Sequence, residues 1–253
     1  MKLRALCAFA WVVCASCATT PTVKPLSHEE RARFLVEIAG GSLDEGDPTG
    51  ALQSLAQAEV ENPTMPEIFH TRALAFNAKH DLPLAIQAAK RAVELKPDYS
   101  DANNTLGKLL MDDGQTSAAI KYLTLAASDI LYRDAYKAQT NLGILNYRQG
   151  RFNKSLEYLN RAILSSPVLA CVAYYYRGNL DLRDSNFKDA VRDYAKATQQ
   201  VCANFQLAHL ALGIALEESR QFDRARKTFL EIQKRFPNTR VADQAFEHLR
   251  KLP

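Results

Sequence analysis

The sequence predicts an all-α chain, a solenoid of six helix-turn-helix repeats closed by a C-terminal helix. Three observations carry that expectation. Small residues recur at a nearly fixed step: Ala51, Ala85 and Ala119 lie 34 residues apart, and the steps on to Ser155, Ala190 and Ala225 are 36, 35 and 35 residues. Prolines close four of the units, at Pro63, Pro97, Pro167 and Pro237, where a residue without a backbone N–H ends a helix. Between these marks the apolar residues fall three and four apart, which puts them on one face of a helix.

The first 30 residues stand outside this pattern. A basic start, Met1-Lys2-Leu3-Arg4, leads into the apolar run from Ala5 to Val13, then Ala15-Ser16-Cys17 and the polar, Pro-containing stretch Ala18 to Pro25. The run is about half the 20 or so apolar residues needed to cross a bilayer. Small-small-Cys after such a run resembles a bacterial lipoprotein signal, with Cys14 at the position where Leu is usual. The resemblance implies a signal peptide over 1–16, a lipid anchor on Cys17 and a flexible tether over 17–30. Ala18, rather than Asp, after the cysteine resembles the outer-membrane sorting pattern. An ordinary secretory signal cut nearby is the alternative. The single tryptophan, Trp11, lies in the segment that either signal removes.

Repeats are expected over 31–237. The fourth is the clearest: Leu142-Gly143 and Tyr147 on its first helix, a turn at Gln149-Gly150-Arg151-Phe152, then Ser155, Leu159 and Ala162 before Pro167. Ala39, Ala73, Gly107, Gly178 and Gly213 occupy the place of Gly143 in the other units. Small residues on the first helix paired with large apolar residues on the second resemble the tetratricopeptide repeat, which implies a right-handed superhelical solenoid. Residues 238–253 read as a capping helix, since the last repeat would otherwise expose its stacking face.

Two units depart from the pattern. The third lacks its closing proline and runs into Ser128-Asp129-Ile130-Leu131-Tyr132-Arg133-Asp134-Ala135. In the fifth, Cys202 stands where the proline would be, and Cys171 opens the same unit's first helix. An antiparallel helix pair brings these two positions to one end, within reach of the roughly 5.5–6 Å Cα separation of a disulfide. Export to an oxidising compartment favours the bonded form; two buried thiols are the alternative.

No catalytic chemistry is expected. Phosphate-binding glycine loops, H-E-x-x-H and G-x-S-x-G are absent, the five histidines lack ligand spacing, and no cofactor or metal is implied. The formal net charge of +4 falls to +2 once Lys2 and Arg4 are removed, and no run of like charges marks a nucleic-acid site. The reading is a binding protein, not an enzyme, and a monomer. The first helices of a curved stack line its concave side, where an extended partner can lie. The expected partner groove is polar in the middle repeats, at Asn104 and Lys108, and apolar further on, at Ile144, Tyr147, Val172, Tyr175, Leu182, Leu207, Leu210 and Ile214.

The third and fourth units carry a more specific likeness. Asn103-Asn104-Thr105-Leu106-Gly107, then Gly114, Ala119 and Ala126, then Asp129-Ile130-Leu131-Tyr132 and Asn141-Leu142-Gly143 resemble the type IV pilus biogenesis lipoproteins, the PilF/PilW/Tgl pilotin group. Arg133 stands where that group usually has proline. The resemblance implies an acylated (palmitate-bearing) outer-membrane lipoprotein facing the periplasm. It would bind an amphipathic segment of a secretin subunit and promote the subunit's membrane insertion and multimerisation for pilus assembly and motility. The alternative reading is a general periplasmic adaptor that scaffolds envelope or cell-wall complexes.

Overall fold

The computed structural model describes residues 25–253; the signal segment, Cys17 and most of the tether lie outside the described residues. The described chain is all-α. Six antiparallel helix pairs follow one another: α1 (His28–Asp44) with α2 (Pro48–Glu61), α3 (Pro66–Ala78) with α4 (Leu82–Leu95), and α5 (Ser100–Asp112) with α6 (Thr116–Ser128). Then come α7 (Ala135–Arg148) with α8 (Phe152–Ser165), α9 (Cys171–Arg183) with α10 (Phe187–Lys196), and α11 (Gln206–Glu218) with α12 (Phe222–Arg235). A final helix, α13 (Arg240–Lys251), packs on α11 and α12. No helix of the described residues is long and apolar enough to cross a membrane.

The start of α1 corrects the expected tether. Ser27 and Glu30 form a reciprocal capping box, and Arg31 pairs with Glu61 of α2 at 2.9 Å. The box satisfies backbone donors that a helix end otherwise leaves unpaired, so the helix begins at His28 rather than after residue 30. Asp47 and Asp81 cap α2 and α4 by accepting backbone N–H groups of the first turn, without the reciprocal bond, and each is followed within two residues by the proline that suits a first helical turn.

Within each pair, a small residue of the first helix admits a large one of the second. A Cβ placed on Gly143 would lie 2.6 Å from Leu159, and one on Gly107 2.6 Å from Leu123. Leu123, Leu142, Leu159, Tyr194 and Phe229 are all fully or almost fully buried, and burial of each such side chain contributes about 1.5–3 kcal/mol. The core is accordingly a row of apolar clusters, each shared by neighbouring repeats. At the end of the row, α13 lays Val241, Ala242 and Ala245 over the sixth repeat.

The six turns inside the repeats share one backbone feature. The middle residue of each is left-handed: Gly46, His80, Gly114, Gly150, Ser185 and Arg220, with φ from +58° to +79°. These turns form one edge of the solenoid. The links between repeats form the other edge, where each second helix ends and the next first helix begins.

Two of those links are elaborated. After α6, the insertion folds back on the third repeat: the Ser100 hydroxyl donates to Asp129, the Asp129 side chain also accepts from the Leu131 N–H at 2.9 Å, and the Tyr132 hydroxyl donates to Asp101 at 2.9 Å. After α10, a short 3-10 turn, Gln200–Cys202, brings Cys202 to Cys171. The two are joined by a disulfide, with their Cα atoms 5.5 Å apart. The short α10 is held to α9 by Arg177, which donates from Nε to Asp193 at 2.5 Å and from Nη2 at 2.9 Å. Asp193 is buried, so loss of its partner would strand a charge out of water.

Candidate partner-binding face

The first helices α5, α7, α9 and α11 present one side each to the concave face. α5 and α7 carry polar side chains there because Asn104 and Asn141 stand opposite one another on adjacent helices. Asn141 Nδ2 donates to Asn104 Oδ1 at 3.1 Å, leaving the Asn104 amide N–H groups and the Asn141 carbonyl open to a ligand backbone. Lys108, one turn further along α5, is exposed and paired with Asp112 at 2.7 Å. Across from it, Lys137 pairs with Asp134. These groups meet Tyr136, Thr140, Leu169 and Val172 around a recess of about 220 Å³. Three of the expected groove residues, Asn104, Lys108 and Val172, are thus brought together.

The apolar half of the expected groove is only partly open. Val172 and Leu207 are 39% and 50% exposed. Ile144 and Leu210, at 7% each, belong to the core between repeats, with Leu210 only bordering a recess beneath α13. The reason is lateral packing: each first helix lies beside the next, and α11 beside α13, so a side chain on its flank points at that neighbour rather than into the groove.

Tyr147 and Tyr175 are diverted in the same way. Tyr147 sits edge-on to Phe152 and Tyr176, with ring centroids 5.8 and 5.4 Å apart. Tyr175 meets Tyr176 at 5.4 Å, Tyr194 at 5.9 Å and Phe205 at 5.1 Å. Edge-to-face contacts at such distances stabilise the array itself. Leu182 and Ile214 pack partly against the C-terminal core. Ile214 also borders a recess of about 250 Å³ roofed by Arg240, Gln244 and His248 of α13. The open concave surface is therefore mainly polar, with Val172, Leu169 and Leu207 as its apolar contacts.

Burial shapes the charges nearby. His70 of α3 is pushed below its usual pKa by burial; its Nε2 lies 3.0 Å from the Thr105 hydroxyl and its Nδ1 3.3 Å from the Tyr99 hydroxyl. The Asp181 carboxyl is pushed up to about 6, first by burial and then by the charges of Asp193 and Asp189. Burial, then the Asp101 carboxylate, holds the Tyr132 hydroxyl protonated, so it stays a donor to that carboxylate.

A larger cleft lies on the convex side and was not anticipated. It measures about 670 Å³ and runs between α2 and α4, floored by Leu52, Phe69, Phe76 and Ala88 and rimmed by Arg72, Arg91, Glu59 and Glu94. Arg72 stands over the Phe69 ring at 5.2 Å and bonds Glu59 at 2.7 Å. In the sequence, Phe69 and Phe76 are indistinguishable from packing residues, because they fall at packing positions. Among the described residues, no group of three or more His, Cys, Asp or Glu is placed to hold a metal ion.

A tetratricopeptide repeat family model matches residues 104–168 and 175–239. The DnaJ homolog subfamily C member 7 homolog of Dictyostelium discoideum is 25% identical over 185 residues, which cover 66% of this chain and 32% of that protein. The chain thus spans about a third of that relative's length. Among solved structures, Pseudomonas aeruginosa PilF superposes with a TM-score of 0.74 at 16% identity, over 87% of this chain and 99% of PilF. PilW, described as a widely conserved type IV pilus biogenesis factor, superposes with a TM-score of 0.74 at 20% identity, over 85% of this chain and 98% of PilW. The Cut9–Hcn1 complex gives the same score at 15% identity, over 87% of this chain and 42% of the matched one. At these identities the likeness is one of fold.

Proposed function

The chain belongs to the tetratricopeptide repeat family, and from that premise we propose that it is an outer-membrane lipoprotein acting as a pilotin for the type IV pilus secretin. Anchored through Cys17, it holds a secretin subunit on its periplasmic side and promotes that subunit's insertion and multimerisation; it binds and does not catalyse. The observation that carries this reading is the concave recess at Asn104, Lys108, Asn141 and Val172, immediately beside the Asp129–Tyr132 insertion. Its unpaired amide groups suit the backbone of an extended segment, and its apolar margin suits alternate side chains of that segment. The full-length fold shared with PilF and PilW supports the same reading.

A lipid anchor would also favour capture. Confinement at the membrane raises the effective concentration of a bound subunit without any added contact. The decisive experiment is a pull-down from solubilised outer membrane together with gel analysis of secretin in a deletion strain. The expected outcome is secretin among the captured proteins and loss of its heat-resistant multimers on deletion. Asn104→Ala with Asn141→Ala should weaken capture about tenfold, or about 1.4 kcal/mol. Normal multimers in the deletion strain, with envelope enzymes captured in place of secretin, would instead favour a general periplasmic adaptor.

A further inference from the structure

The two edges of the solenoid differ in chemistry. The edge built from turns inside the repeats runs from Glu45-Gly46-Asp47 to Ser219-Arg220-Gln221 without one apolar side chain at its six three-residue turns. The opposite edge carries exposed apolar side chains on consecutive inter-repeat links. Ile130 and Leu131 at the tip of the insertion are 95% and 85% exposed, Val168 follows on the next link, and Val201, 62% exposed, on the one after; Leu164 projects beside them from the end of α8. The row is continuous because its supports are bonded together: Ser100 to Asp129 ties the link before the insertion to the insertion, and Cys171–Cys202 ties the two links that follow.

We propose that this edge rests on a lipid bilayer, with Ile130, Leu131, Leu164, Val168 and Val201 entering the interface between headgroups and acyl chains. Most of these side chains stand on loop tips, and the two recesses that Leu131 and Val168 border are otherwise lined mainly by polar groups, so the exposed apolar tips suit shallow insertion into a fluid surface better than capture in an apolar groove. The start of α1 lies on the same edge, so the tether leaves from there. Ser27 lies ten steps along the chain from Cys17, a reach of at most about 33–36 Å. First helices of neighbouring repeats lie about 8–10 Å apart, so an anchor on Cys17 can sit below the insertion. Around the insertion Lys96 and Arg133 stand against Asp98, Asp101, Asp129 and Asp134, so no surplus of positive charge draws this edge to anionic lipid. Contact is therefore apolar and is not weakened by salt.

This inference deepens the lipoprotein reading above and rests on it for the anchor, and its test separates the two. The only tryptophan of the sequence is Trp11, in the segment a signal cleavage removes. Leu131→Trp therefore places a unique reporter on the membrane-facing edge, and Asn186→Trp places one on the opposite edge. Each purified chain is weighed by mass spectrometry for acylation and mixed with vesicles of phosphatidylethanolamine and phosphatidylglycerol containing brominated acyl chains. Acylated Leu131→Trp protein should show a blue shift and loss of most of its indole emission, unchanged at high salt. Acylated Asn186→Trp protein should show neither. Acylated Leu131→Trp protein whose emission stays that of an indole in water overturns the membrane-facing edge and leaves the anchor standing. Absence of acylation overturns the anchor, and saturating vesicles then decide the edge alone, a shift upholding it and no shift overturning it. A shift produced by a purified secretin subunit and not by vesicles assigns the row to a protein partner and also overturns it.

Discussion

Gly213 of α11 lies against the edge of the Phe229 ring, so close that a Cβ there would fall 2.3 Å from Cε1. The ring has no room to retreat, because Phe229 is fully buried and its other face stacks on His248 at 5.1 Å with the planes 15° apart. His248 is in turn held by Glu217 at 2.7 Å. Helix propensity alone favours alanine over glycine by about 1 kcal/mol. Overpacking a filled core costs about 1–3 kcal/mol. Gly213→Ala should therefore lower the urea midpoint, and Gly213→Ala with Phe229→Leu should recover part of the loss. A rise in the midpoint of the single variant would show that the ring moves freely.

The left-handed turns give a prediction of opposite sign. His80, Ser185 and Arg220 occupy the same position as Gly46, Gly114 and Gly150, with φ near +60°, a conformation that costs a residue with a side chain about 1–2 kcal/mol. Arg220 is exposed. Arg220→Gly should raise stability by about 0.5–1 kcal/mol, the gain being reduced by the greater freedom of glycine in the unfolded chain. Gly150→Val should lower it by a similar amount or more. Both are read from thermal midpoints.

The disulfide closes a loop of 31 residues in sequence separation. In the chain-entropy account this contributes about 3–4 kcal/mol. Replacing both cysteines by serine should cost up to that amount, and reductant should lower the melting temperature of the native chain but not of the variant. Loss of stability confined to the last two repeats and α13, read by hydrogen exchange, would locate the effect, since neighbouring repeats contribute separately.

Acid should act through Asp181. Its folded pKa of about 6 lies above the ordinary value of 3.8, so the folded state holds the proton more tightly than the unfolded one. Its contribution to stability is full below about pH 4 and is lost as pH rises through 6. Asp181→Asn should therefore stabilise the chain at pH 7.5 by about 1 kcal/mol, allowing for solvent screening at a half-buried site, and change it little at pH 4. Burial pushes His70 and His209 down, so their contributions are lost as pH falls below 6.5. The two effects oppose one another, and the difference between native and Asp181→Asn curves isolates the carboxyl.

The repeat register was legible in the sequence, because it depends on local facts. Proline ends a helix, Gly143 and Gly213 admit Leu159 and Phe229, and helical periodicity assigns Leu123 and Leu159 to the buried face. Each requires only contacts within one repeat. The polar recess at Asn104 and Lys108 was legible for the same reason, since both fall on the side of α5 away from Leu106, Leu109 and Leu110, which pack into the core.

What the sequence left open was settled between repeats. Ile144 and Leu210 share the helical positions of residues that do line the groove, and only the sideways approach of the next helix in the row, α9 for Ile144 and α13 for Leu210, buries them. Tyr147 and Tyr175 turn into an aromatic row whose members come from α7, α8, α9, α10 and the link after α10. The convex cleft at Phe69 depends on the gap between α2 and α4, and the left-handed backbone at His80, Ser185 and Arg220 is imposed by the helices on either side. A one-dimensional pattern gives each helix its inner and outer faces. How much of an outer face is then covered depends on the angle and distance between stacked repeats, which side chains far apart in sequence decide together.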